Sequence, residues 1–307
     1  MAKSRHFMEL LTARFSAGYT VCIGLDTDMA KIPNHNYPLP VAGEVLDEGH
    51  HRTLGFNGAI IDATRGLVAA YKPNSAFYEG DRTMMDLELT IQYIHEVAPE
   101  VPVIIDAKRG DIDNTNLGYV RSAFDHLDAD AITVHPYLGR RALRPFLDQA
   151  DKGIIVLCRT SNEEGGEFQD RLVTLDHSEE IEFFRQFDWV TRHELLHGGM
   201  IYLIPFYLLV AYRVSRYWNQ LGNCGLVVGA TYPEELRLVR LVAPDIPLLI
   251  PGIGAQGGDL EATVRNGCDT KGQGMIINSS RGIIYAEDPR AATLELDGRI
   301  RQLRNAV

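Results

Sequence analysis

Ile104-Ile105-Asp106-Ala107-Lys108-Arg109-Gly110-Asp111-Ile112 decides both the fold and the place of the chemistry in this chain. It continues Val101-Pro102-Val103, so an apolar, β-branched run ends in charged residues, the pattern of a buried strand leaving its sheet. Side chains two apart on a strand share a face, which directs Asp106 and Lys108 to the same side. Asp111 follows where strand has become loop. Opposite charges held this close favour each other's ionised forms. Such a segment suits a site that keeps a proton donor inside a fixed negative field. An exposed strand end with ordinary ion pairs is the alternative for an isolated Asp-x-Lys.

Seven further apolar runs share this character. They are Tyr19–Leu25, Leu67–Tyr71, Asp130–Val134, Gly153–Leu157, Gly225–Val228, Pro247–Ile250 and Gly274–Ile277. Between them lie helix-like stretches, the best marked being Asp81–Glu96, Asn116–Leu127, Pro233–Val242 and Asp288–Leu303. Pro233 followed by Glu234 and Glu235 makes a favourable first turn. Strands that alternate with helices predict a parallel sheet, and eight of them at this length predict a closed (β/α)8 barrel, an α/β TIM barrel forming one domain over 1–307. Polar residues stand where the strands end: Asp26, Lys72, Asp106 with Lys108, Ser161, Gln256 and Arg281. In such a barrel those ends share one face, and that face carries the active site.

The last two strands run into Pro251-Gly252-Ile253-Gly254-Ala255-Gln256-Gly257-Gly258-Asp259 and Asn278-Ser279-Ser280-Arg281-Gly282. Glycines let backbone N–H groups come close to an anion, and Arg281 adds a guanidinium fork. This is the expected phosphate site of the barrel. The 307 residues carry a formal charge of −11, which argues against a nucleic-acid or anionic-membrane surface and leaves anionic small molecules to local basic clusters. Cys22, Cys158, Cys224 and Cys268 show no Cys-x-x-Cys spacing, and the first three sit in strand-like apolar runs and are expected as small buried hydrophobes in a reducing compartment. No stretch has the length of a spanning helix, and the N-terminus lacks the apolar core of a signal peptide, so a cytoplasmic protein is expected.

Asp106-Ala107-Lys108-Arg109-Gly110-Asp111-Ile112, followed by Asn114-Thr115, resembles the Asp-x-Lys-x-x-Asp-Ile signature of the orotidine 5'-monophosphate decarboxylases, in the form of the longer bacterial and archaeal branch. Tyr71-Lys72-Pro73-Asn74, Arg159-Thr160-Ser161-Asn162, Val228–Leu236, Pro251–Asp259 and Asn278–Gly282 are similar to that family's blocks and occur in its order. The resemblance implies decarboxylation of orotidine 5'-monophosphate to uridine 5'-monophosphate, the last step of de novo pyrimidine synthesis, with no cofactor and no metal. It implies Lys108 as the proton donor to ring carbon six, bracketed by Asp106 and Asp111, with Lys72 linked to Asp106. Asp26 and Lys72 would bind the ribose, Ser161 the pyrimidine, and Gln256 and Arg281 the phosphate, with Thr115 also at the substrate. The residue matching Asp111 reaches the partner's site, which implies a homodimer. The chain departs from the pattern at Asp113, where the family has Gly, and at His135, where Asn is usual before Pro-Tyr-Leu-Gly. A magnesium-dependent sugar-phosphate decarboxylase or synthase of the same barrel superfamily is the first alternative.

An insertion over 170–204, after the fifth strand, is unfamiliar. Ser178–His197 mixes acidic residues with Ile181, Phe184, Phe187, Trp189 and Leu195, and is expected as an amphipathic helix started by an Asp176/Glu179 capping box. It contains His193-Glu194-Leu195-Leu196-His197, which matches the zinc-hydrolase His-Glu-x-x-His motif if it is helical. A third ligand is needed, and Gly198–Thr231 contains no His, Asp or Glu, which leaves His177 or an acidic residue upstream to serve. A segment this aromatic must pack on its own barrel or on a second subunit.

Overall fold

The computed structural model describes residues 5–35, 37–40, 48–254 and 257–306, with only the backbone described for 48–51. Eight parallel strands make one sheet. In chain order they are β1 (Val21–Ile23), β2 (Ala70–Tyr71), β3 (Ile104–Arg109), β4 (Ala131–Val134) and β5 (Gly153–Arg159), and then β9 (Cys224–Val228), β10 (Leu248–Ile250) and β11 (Met275–Ser279). Between β5 and β9 lie β6 (Leu172–Thr174), β7 (Thr191–Glu194) and β8 (Met200–Pro205). The parallel order is β2-β1-β11-β10-β9-β5-β4-β3. Its two ends meet, because Tyr71 pairs with Val103 and Asn74 with Asp106 in parallel bridges. The sheet is thereby a barrel of eight strands, and all eight expected apolar runs contribute to it.

Alternation along the strands divides the core into two layers. Cys22, Ala70, Ile104, Ile155, Leu249 and Ile276 fill the interior, while Ile23, Ile105, Val156, Val228, Ile250 and Ile277 face the helices. This parity carries the stretch from Ile104 to Asp106, and the register with β4 then shifts between Ile105 and Arg109, so Lys108 reaches the cavity from an irregular stretch of strand. The amino-terminal end of the barrel is plugged by the helix Phe7–Ser16, whose Phe7, Leu11 and Phe15 pack on the interior layer. Each of these buried side chains is worth about 1.5–3 kcal/mol in transfer from water. Among the described residues, the carboxyl end of the barrel is the one left open.

Helices Met84–Val97, Pro233–Val242 and Pro289–Arg304 stand where the helical patterns lie. Asp288 caps the last by accepting from the Ala291 amide at 2.9 Å. The Asn116–Leu127 pattern is realised as an α-helix, Asp113–Val120, that widens to a π-helical turn over Arg121–His126.

The insertion holds three short strands and one short helix, which corrects the expectation of a helical segment. A helix covers Ser178–Phe184 only. β6, β8 and β7 form a separate antiparallel sheet in that order. The reversal between β7 and β8 uses Gly198 at φ 82°, a backbone state that Gly reaches freely, and this lets Glu194 pair with Met200. The Asp176/Glu179 box is absent: His177 is the N-cap residue without a side-chain hydrogen bond, and the Glu179 carboxylate accepts from the Tyr217 hydroxyl at 2.8 Å instead. His193 lies on β7 opposite Ile201, so His193 and His197 do not share a helical face. Among the described residues no group of three or more His, Cys, Asp or Glu side chains gathers as a metal site. The segment packs on its own chain. Phe184 is buried among Phe183, Phe187, Trp189 and Tyr212, and Glu180, 1% exposed, pairs with Arg213 at 2.8 Å.

Candidate active site

A cavity of about 610 Å³ opens at the carboxyl ends of the strands. Apolar Leu157, Val227 and Leu249 line it together with Asp26, Lys72, Asp106, Lys108, Ser161 and Arg281. The strand-end face therefore collects these polar residues, as expected for this architecture.

Lys72 and Lys108 grip one carboxylate. Lys72 Nζ lies 3.1 Å from Asp106 Oδ2 and 3.8 Å from Asp26 Oδ1, while Lys108 Nζ lies 2.6 Å from Asp106 Oδ1. The Lys72 side chain is 4% exposed and that of Lys108 is 48% exposed, so Lys72 is seated deep in the cavity wall and Lys108 is the more open of the two cations that line it. Burial alone would depress the Lys72 ammonium, but the Asp26 and Asp106 carboxylates more than offset it and raise its pKa above the ordinary range. Burial works against the Asp106 carboxylate too. The two ammonium groups and the Thr133 hydroxyl outweigh that and hold its pKa well below the usual carboxylate range. Lys108 has φ 48°, in the left-handed region that a lysine seldom adopts. Gly24 makes room at the end of β1 before Asp26, since a Cβ there would lie 1.9 Å from Ser280 Oγ.

Ser161 is set by the end of β5. The Arg159 guanidinium donates to both Asp170 carboxylate oxygens at 2.7 and 3.0 Å and stacks 3.6 Å over the Tyr232 ring. Gln169 accepts from the Thr160 amide at 2.9 Å. Gly229 lets β9 approach, because a Cβ on it would lie 2.5 Å from Ser161 Cα.

On the other side of the cavity stand Pro251, Gly252, Ile253, Ser280, Arg281 and Gly282. The glycine loop turns through Gly252, Gly254 and Gly257 with φ of 107°, 85° and 78°. Asp259 ends it by capping Leu260–Gly267. Arg281 is exposed at the start of the short helix Arg281–Ile284 and has no ion-pair partner among the described residues. Gln256 lies outside the described residues.

Two expected residues do not line this cavity. Asp111 folds on its own loop, its carboxylate accepting from the Ile112 amide at 2.6 Å, and Thr115 is exposed on the helix Asp113–Val120. Other cavity residues escape a reading of the sequence: Asn74, Phe77, Thr133 and Gln169. Thr133 has a signal, as the single hydroxyl within the four buried residues of β4. Gln169 has none, since it arrives from beyond the strand through a local fold.

A closed parallel barrel with a cation–carboxylate cluster and an arginine beside glycine loops at one mouth defines a (β/α)8 protein built to hold a small anionic ligand. Residues 20–296 match the model of the orotidine 5'-phosphate decarboxylase / HUMPS family, and the chain belongs to that family. It is 43% identical to the orotidine 5'-phosphate decarboxylase of Ralstonia pickettii, over 97% of this chain and 99% of that one. The orotidine 5'-phosphate decarboxylase of Azoarcus is also 43% identical, over 92% and 90% of the two chains. Among solved structures, the OMP decarboxylase of Leishmania donovani superposes with a TM-score of 0.75 at 35% identity, covering 98% of this chain and all of that one. The UMP synthase of Leishmania donovani gives 0.77 at 37% identity, and this chain spans 57% of its length.

Proposed function

We propose that this chain decarboxylates orotidine 5'-monophosphate to uridine 5'-monophosphate and carbon dioxide, the last step of de novo pyrimidine synthesis. The observation that carries the proposal is the Lys72–Asp106–Lys108 cluster in one cavity with Arg281. Loss of carbon dioxide leaves an electron pair on ring carbon six. The Lys108 ammonium stabilises that charge and then delivers a proton to it. Asp106 holds Lys108 in place and, beside the departing carboxylate, disfavours the bound substrate relative to the transition state. Lys72 and Asp26 bind the ribose hydroxyls and Ser161 the pyrimidine. Arg281 and Gln256 hold the phosphate, whose binding energy helps to close the site.

Asp111 and Thr115 complete the site of a second copy in a homodimer. Supporting this, both lie away from the chain's own cavity, on a rim whose apolar side chains are uncovered: Ile112 is 64% and Tyr137 84% exposed. The cytoplasm is the proposed location, in keeping with four free cysteines, of which Cys22, Cys158 and Cys224 are buried. No described helix is long and apolar enough to cross a membrane.

Incubation with orotidine 5'-monophosphate, followed by chromatography, tests the proposal. Stoichiometric uridine 5'-monophosphate is expected. No product from this substrate, with turnover of a hexulose or keto-gulonate phosphate in magnesium, would favour the sugar-phosphate alternative.

A further inference from the structure

The ladder between β3 and β4 breaks where the charged cluster sits. Ile105 pairs with Ile132 and Arg109 with Val134, so Asp106, Ala107 and Lys108 together stand opposite Thr133. This is a bulge, and it takes Lys108 into the left-handed region at φ 48°. A bulge leaves backbone groups without their ladder partners. Here a side chain replaces them: the Lys108 amide donates to Thr133 Oγ1 at 3.0 Å, and Thr133 Oγ1 donates to Asp106 Oδ1 at 2.8 Å. The direction of the second bond is set by chemistry, since an ionised carboxylate only accepts and the hydroxyl has a single proton to give. Thr133 is 1% exposed, so water is a poor substitute.

We propose that Thr133 is a positioning residue for the decarboxylation. It touches Asp106 and the backbone of Lys108 rather than the reacting atoms. Through one hydroxyl it fixes the carboxylate oxygen that takes Lys108 Nζ at 2.6 Å and holds the strained backbone from which that ammonium is aimed. With Thr133, each Asp106 oxygen has a defined duty: Oδ1 serves Thr133 and Lys108, and Oδ2 serves Lys72. The inference rests on the proposed reaction.

Thr133→Val keeps the shape and β-branching in a buried strand and removes only the hydroxyl; Thr133→Ser keeps the hydroxyl. Steady-state kinetics with orotidine 5'-monophosphate, uridine 5'-monophosphate binding by calorimetry and thermal melting are measured for both and for the wild type. Thr133→Val is expected to lose about tenfold or more in kcat, with KM and product affinity within about threefold, because aim is lost while the ligand pocket stays. Thr133→Ser is expected to lie within about threefold of wild type in kcat. A purely structural role would lower melting temperature without this split between kcat and KM. Wild-type kcat in Thr133→Val, or equal losses in the Val and Ser variants, overturns the inference and leaves the proposed reaction standing. If Thr133→Val does not fold, Thr133→Ala takes its place against Ser with the same criteria. A wild type without turnover removes both.

Discussion

Lys72 and Asp106 meet across the seam of the barrel, Nζ to Oδ2 at 3.1 Å, next to the bridges that join β2 to β3. The ion pair at the closure of the sheet thus also builds the site. Lys72→Ala would leave Asp26 and Asp106 facing each other without that cation. The variant is expected to lose about 3 kcal/mol of unfolding free energy, the scale of breaking a buried pair by removing one partner. Denaturant titration checks this, with the wild-type midpoint as the contrary result.

The same pair sets a pH window for stability. Asp106 is depressed from an ordinary 3.8, so its contribution is whole above that value and is lost as pH falls toward the lower folded value. Lys72 is raised from an ordinary 10.5, so its contribution is whole below that value and is lost as pH rises past it. Urea midpoints are expected to hold level from about pH 5 to 9 on this account and to fall on both sides. Asp106→Asn should flatten part of the acid fall; an unchanged acid limb would remove Asp106 from it.

Arg281→Ala is expected to weaken nucleotide binding by roughly 2–4 kcal/mol, the scale of deleting a charge-assisted hydrogen-bond donor in a closed site. Calorimetry with uridine 5'-monophosphate and with uridine separates the phosphate from the rest. Equal weakening for both ligands would take Arg281 away from the phosphate.

The insertion is expected to matter for stability and not for chemistry. Phe184, wholly buried under Phe183, Phe187, Trp189 and Tyr212, should cost about 3–5 kcal/mol on Phe184→Ala. Turnover per folded molecule, with or without a chelator, should stay at wild type. Activity abolished by chelation would restore a metal role for His193 and His197.

The barrel is legible in the sequence because each strand is a short apolar run and each inner face continues into a charged strand end. Asp106 and Lys108 do share a side, yet simple alternation understates how. A bulge and a left-handed Lys108 separate them, and nothing in Asp-Ala-Lys announces that. The plug helix has its sign in Phe7, Leu11 and Phe15, spaced four apart, a weaker signal than the apolar runs of the strands that follow. In the insertion the helical spacing of Ile181 and Phe184 is real but ends at Phe184. Beyond it, the Gly198 reversal folds β7 back on β8 as a local hairpin, and its turn signal, Gly198-Gly199, lies just past the end of the helical pattern. Asp111 and Thr115 follow the charged strand end in sequence, yet Asp111 turns back on the Ile112 amide and Thr115 is exposed on its helix, so nearness in sequence does not bring them to the chain's own cavity.

The most direct measurement is the absorbance of orotidine 5'-monophosphate after addition of wild-type protein and of Lys108→Ala, both in chelator, with the fold of the variant checked by circular dichroism. A steady loss of substrate is expected with wild type, and at least about a thousandfold slower loss with Lys108→Ala, the scale of removing a proton donor that also stabilises the developing charge. Comparable rates from the two folded proteins would contradict Lys108 as the donor.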